Sequence, residues 1–121
     1  MSDWRPRLIA SDMDGTLLRR DETVSEDTVA ELERWRADGV PIVLATGLAV
    51  ALERYGVGLA DVLVFGDMPN DLPMIDAVTV AGGRSVAVAN AHPAVRAAAG
   101  HLAGGHDADG VARYLEAVLD V

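Results

Sequence analysis

At 121 residues the chain fits one domain, spanning residues 1–121, and leaves little room for a second. Half of it is hydrophobic, only 4% is aromatic and no cysteine is present, which excludes a disulfide framework and a thiolate metal site. Ten basic residues, all arginine, face nineteen acidic ones for a formal charge of −9, so no surplus of cations exists to release the counterions of a nucleic acid. No apolar run reaches the roughly 18 residues of a membrane span, and Met1-Ser2-Asp3-Trp4-Arg5-Pro6 has no signal-peptide core. A cytoplasmic chain without a membrane partner is the resulting expectation.

In chain order, Arg7-Leu8-Ile9-Ala10-Ser11 reads as a buried strand ending at Asp12. Ser25 is a helix N-cap with Glu26 and Asp27 in the first turn, and Val29, Leu32 and Trp35 recur at helical spacing before Gly39 stops the helix. Val40-Pro41-Ile42-Val43-Leu44-Ala45 is a second strand, and Ala49 to Arg54 a short helix ended by Gly56 and Gly58. Val62-Leu63-Val64-Phe65 is a third strand, closed by Gly66-Asp67. A helix from Asn70 to Val78 carries Pro73 in its first turn, and Val86-Ala87-Val88 is a fourth strand. Pro93 to Leu102 and Gly110 to Leu119, the latter capped by Asp109, read as two final helices. This alternation predicts a three-layer α/β/α, Rossmann-like sandwich around a parallel sheet.

Ligands in such sheets bind beyond the carboxyl ends of the strands. Strand one ends in Asp12-Met13-Asp14-Gly15-Thr16, strand two in Thr46-Gly47, and strand three in Gly66-Asp67-Met68-Pro69-Asn70-Asp71. Adjacent parallel strands would bring Asp12, Asp14, Asp67 and Asp71 to one rim. Carboxylates within about 4–6 Å of one another repel and titrate high, a conflict that a hard divalent cation resolves. Four acids with no histidine or cysteine beside them point to Mg²⁺ rather than zinc.

The segment Asp12-Met13-Asp14-Gly15-Thr16-Leu17-Leu18 resembles the first motif of the haloacid dehalogenase superfamily in its phosphatase form. Thr46-Gly47 is similar to the second motif, and Gly66-Asp67-Met68-Pro69-Asn70-Asp71-Leu72-Pro73-Met74 to the fourth as the Cof-like branch carries it. Val86-Ala87-Val88-Ala89-Asn90-Ala91 and Asp109-Gly110-Val111 resemble that branch's closing segments. The resemblance implies a Mg²⁺-dependent phosphate monoester hydrolase. Asp12 is then the nucleophile that forms an aspartyl-phosphate, and Asp14 the acid that protonates the leaving oxygen and afterwards activates water. It further implies Asp12, Asp14 (through its carbonyl), Asp67 and Asp71 as the metal shell, with Thr46, Gly47 and Asn70 on the phosphate. Asn90 is either another phosphate contact or a loop cap. His92, His101 and His106 read as surface or cap residues, and Arg19 and Arg20 as exposed loop residues.

Two departures from the pattern stand out. Thirteen residues, Leu48 to Ala60, separate the second motif from strand three, enough for one crossover helix and no cap domain. An uncapped site is open to water, to a phosphorylated small molecule, to a phosphate exposed on a larger substrate, or to a second copy of the chain covering it. The family's third motif is a basic residue, and aligning on Ala51-Leu52-Glu53 puts Leu48 in its place. The preserved acids favour an enzyme. The missing cation favours a weak or inactive module of the same fold, or a minimal core. A phospho-acceptor signalling domain also uses a strand-end Asp and Mg²⁺, but the Asp12-to-Thr16 context suits it poorly.

Overall fold

The central apolar runs form strands that are covered on both sheet faces, while the edge run at Ile42–Leu44 is only partly covered. In the computed structural model, which describes residues 4–119, these are β1 (Leu8–Ser11), β2 (Ile42–Leu44), β3 (Val62–Gly66) and β4 (Arg84–Ala87). A fifth strand, β5 (His101–Leu102), completes one sheet of order β2-β1-β3-β4-β5, parallel throughout. Residues 1–3, part of the N-terminal stretch read above for a leader, and residues 120–121 lie outside the described chain. Leu8, Ile9, Ala10 and all of Val62 to Phe65 are fully buried, as central strands of a sandwich must be.

The helices are α1 (Glu26–Ala37), α2 (Leu48–Tyr55), α3 (Leu72–Ala81), α4 (Pro93–Ala98) and α5 (Gly110–Leu119). The strand order reverses direction after β2, so right-handed crossovers put α1 on one face and α2, α3 and α4 on the other. α5 returns to the α1 face: Arg113 pairs with Asp27 at 2.6 Å, and the Tyr114 ring meets Phe65 edge-on at 5.7 Å. The connections leaving β1 and β3 therefore diverge to opposite faces, which opens a crevice between their carboxyl ends. No helix among the described residues is long and apolar enough to cross a membrane.

Ser25 caps α1 as expected, its hydroxyl accepting the Thr28 N–H at 3.1 Å. Of the three apolar residues read at helical spacing, Trp35 is buried and Leu32 packs partly buried against the core, but Val29 turns outward. Thr28, Glu31 and Trp35 are buried, whereas Val29 is 48% exposed. Trp35, the largest fully buried side chain, sets the phase, and Val29 six residues earlier lies about 120° around the helix from it. The helix expected over Pro93 to Leu102 stops at Ala98. Ala99 turns extended and the Gly100 N–H donates to Ser85 Oγ at 2.9 Å. His101 and Leu102 then pair with Val86 and Ala87, so the edge of β4 is covered rather than left open.

Candidate active site

Strand register places the acids. Ser11 lies opposite both Leu44 of β2 and Phe65 of β3, so the residues just beyond all three strands emerge at one edge. The Asp12 N–H extends the ladder by one step, donating to Phe65 O at 3.2 Å. The chain then turns tightly over Met13–Leu17, closed by the Leu18 N–H donating to Met13 O at 2.9 Å. Gly15 takes a left-handed φ of 75° there, and a Cβ on it would run into Asp67 Oδ2.

The second loop is held by one of its own acids. Asp71 Oδ2 accepts the N–H groups of Asp67 at 3.1 Å and Met68 at 3.3 Å. Gly66 makes this possible, because a Cβ on it would stand 2.9 Å from Asp71 Cβ. Asp67 and Asp71 are 6% and 5% exposed, and one oxygen each of Asp12, Asp67 and Asp71 lie within 4.8 Å of one another. Burial, then a hydrogen bond and like charge from Asp67, push the Asp12 carboxyl up to about 6, against the pull of the Met13 N–H. Burial also raises Asp71, opposed by its two N–H donors and helped by the charge of Asp12.

Asp67 Oδ1 is buried with no hydrogen-bond partner. Three carboxylates drawn together, one oxygen of them orphaned, form a donor set suited to a hard divalent cation. Asp14 stands outside this trio, exposed on the turn beside it. Thr46 is exposed in a 3-10 turn (Ala45–Gly47), and Gly47 precedes α2. Thr46 shares with Asp12 a small cleft of about 80 Å³, completed by Ser11, Met13, Leu44 and Ala45. Two larger grooves, of about 450 and 500 Å³, are lined around Arg36, Pro41 and Tyr55 and hold none of the clustered acids. Asn70 is exposed in the turn that carries Asp71.

Asn90 is engaged at both ends. Its Nδ2 donates to Gly15 O at 2.7 Å and its Oδ1 accepts the His106 N–H at 2.9 Å. His92 caps α4, its Nδ1 accepting the Ala94 N–H at 3.1 Å. Arg19 is not a free loop residue: its Nε and Nη2 meet both Asp109 oxygens at 3.0 and 2.8 Å, which holds the Asp109 carboxyl below its ordinary range. That tie joins residues ninety positions apart and has no local sequence signal.

Leu48 begins α2 at the rim, but its side chain is buried in the core at 8% exposure. Arg54 lies over the Tyr55 ring in the last turn of α2, and Arg84 over the Trp4 ring at the start of β4, the opposite end of the sheet.

A family described as haloacid dehalogenase-like hydrolase matches residues 9–51 and 47–115, two stretches that meet in the first turn of α2. The chain belongs to this family. Over 45 residues it is 46% identical to the 5-amino-6-(5-phospho-D-ribitylamino)uracil phosphatase YitU of Bacillus subtilis (strain 168), covering 37% of this chain and 17% of that protein. Over 75 residues it is 35% identical to a phosphoglycolate phosphatase of Methanothrix thermoacetophila, 62% of this chain and 32% of the relative. The chain thus spans less than a third of the length of these two curated relatives. A haloacid dehalogenase-like hydrolase from Bacteroides thetaiotaomicron shares the fold with a TM-score of 0.83, at 15% identity, over 96% of this chain and 100% of that one.

Proposed function

We propose that the chain is a Mg²⁺-dependent phosphate monoester hydrolase that works through an aspartyl-phosphate on Asp12. The observation that carries this reading is the convergence of Asp12, Asp67 and Asp71 within 4.8 Å at the β1/β3 crevice, with Asp67 Oδ1 left without a partner. The kinship with proteins named as phosphatases supports it. The carboxylates of Asp12, Asp67 and Asp71, with the Asp14 carbonyl, would hold the cation. All are oxygen donors, which suits Mg²⁺. When bound, the cation offsets the clustered charge and polarises phosphate oxygens.

The protein's own residues then divide the work. An Asp12 carboxylate oxygen attacks phosphorus and the ester P–O bond breaks. Asp14 gives its proton to the departing alkoxide, so alcohol leaves and phosphate stays on Asp12. Asp14 next takes a proton from water, whose oxygen attacks phosphorus. The bond to Asp12 breaks, releasing inorganic phosphate and restoring both acids. In this reading the Thr46 hydroxyl, the Gly47 N–H and Asn70 would hold phosphoryl oxygens. Without a cap, the substrate is a phosphorylated small molecule or a phosphate exposed on a larger one.

A second reading, a metal-binding module with little turnover, is favoured by the burial of Leu48 where the family carries a cation. Loss of one preorganised charge costs on the order of 10²–10³ in rate, by analogy with oxyanion donors. The test is Mg²⁺-dependent phosphate release from p-nitrophenyl phosphate. The hydrolase reading expects release that chelator and Asp12→Asn each abolish; the module reading expects Mg²⁺ binding with wild type and Asp12→Asn equally inert.

A further inference from the structure

Beyond β4 the chain makes a short bridge that touches both loops of the site. The Ala91 N–H donates to Val88 O at 3.0 Å, closing a turn with Asn90 at its tip, and Ala91 is buried at 6% exposure. One residue on, the His92 N–H donates to Asp67 O at 2.8 Å, so this bridge anchors the loop that carries Asp67. From the tip, Asn90 Nδ2 donates to Gly15 O at 2.7 Å and so anchors the loop that carries Asp14. The amide is itself aimed from behind, because Asn90 Oδ1 accepts the His106 N–H at 2.9 Å.

Gly15 is where this matters. It packs so closely on Asp67 Oδ2 that no Cβ fits, with Asn90 Nδ2 next to the same space, 3.9 Å from where that Cβ would be. The spacing between the two loops is therefore held from one side by van der Waals contact and from the other by the Asn90 carboxamide. Asp14 immediately precedes Gly15, is exposed, and takes its aim from the backbone of this turn.

We propose that Asn90 is a positioning residue that fixes the Asp14 turn against the Asp12–Asp67 pair, so that proton delivery to the leaving group depends on it. This rests on the phosphatase reading above. It assigns Asn90 a role other than contact with phosphate, resting on the bond from one of its amide N–H groups to Gly15 O and on the bond that its Oδ1 accepts.

The two roles separate by leaving group. A p-nitrophenolate departs with little help from an acid, whereas an alkoxide needs the proton. The parameter kcat/KM reports events up to that departure, before the water step. The experiment compares wild type, Asn90→Ala and Asn90→Asp on p-nitrophenyl phosphate and on an alkyl ester such as glycerol 2-phosphate. Asn90→Asp keeps an acceptor for His106, loses the donor to Gly15 and adds a negative charge, whereas Asn90→Ala loses both bonds without adding charge, so an effect common to the two variants reports the bond to Gly15. Both variants are expected to lose about tenfold in kcat/KM on the alkyl ester, the scale of one hydrogen bond, and at most about twofold on the aryl ester. Equal losses on both esters would show a phosphate contact or general disruption, and no loss on either would show an idle side chain; each overturns the proposal. A wild-type chain that releases no phosphate from either ester overturns the phosphatase reading as well, and is told apart by the wild-type rate alone.

Discussion

Asp71 Oδ2 accepts the backbone N–H of Asp67 at 3.1 Å, so one acid of the cluster shapes the loop that presents another. Its second bond, to the Met68 N–H at 3.3 Å, closes the same turn. Asp71 thus shapes the loop, and in the proposed reading it also holds the cation; the two roles separate by substitution. Asp71→Ala leaves two N–H groups without an acceptor at a position 5% exposed, and is expected to cost about 1–3 kcal/mol in urea unfolding with chelator present. Asp71→Asn keeps an acceptor oxygen and is expected to cost under about 1 kcal/mol, while still weakening Mg²⁺ binding in a calorimetric titration.

Gly15 is the tightest point of the site. Its φ of 75° and the Asp67 carboxylate against its Cα leave no room for a side chain. Gly15→Ala is expected to destabilise the fold by about 1–2 kcal/mol and to weaken Mg²⁺ at least tenfold by pushing Asp67 off the trio. The matched control is Gly39→Ala, also at positive φ (84°) but with nothing within 4 Å of its Cβ; it should carry the backbone cost and leave Mg²⁺ affinity unchanged.

The raised Asp12 carboxyl gives the metal-free chain an unusual pH response. Asp12 titrates at about 6 when folded against 3.8 unfolded, so the folded state binds more protons in between. Stability without metal therefore falls as pH rises through that interval, and is fully retained only below it. Asp12 accounts for about 1 kcal/mol of the fall, after allowance for solvent screening of a half-buried group. Urea unfolding with chelator at pH 4.5 and 7 should show a larger loss for wild type than for Asp12→Asn, and Mg²⁺ should restore the wild type at pH 7. Equal losses in the two proteins would refute the assignment to Asp12.

The sheet and the acids were legible because each rests on a local pattern. Leu8-Ile9-Ala10-Ser11 and Val62-Leu63-Val64-Phe65 are apolar runs that stop at polar residues, and parallel register then carries Asp12 and Asp67 to one edge. Ser25 was legible as a cap because Glu26 and Asp27 follow it. β5 was not: two residues, His101 and Leu102, carry no alternation, and they are a strand only because Val86 and Ala87 offer an open edge. On α1 Leu32 and Trp35 face the core as their spacing suggests, whereas Val29 outranks Thr28 and Glu31 in hydropathy and still faces out, because the bulk of Trp35 decides the rotation. The Arg19–Asp109 pair and the double use of Asn90 depend on segments distant in the chain, and no local spacing announces them.

In the proposed reaction phosphate passes through a covalent bond to Asp12. Mass spectrometry of protein quenched in acid during turnover with Mg²⁺ and p-nitrophenyl phosphate detects that bond. A phosphoryl group on the peptide containing Asp12, lost on hydroxylamine treatment and absent from Asp12→Asn, is the predicted result. Phosphate release by Asp12→Asn at the wild-type rate, with no adduct on Asp12 in either protein, would contradict it.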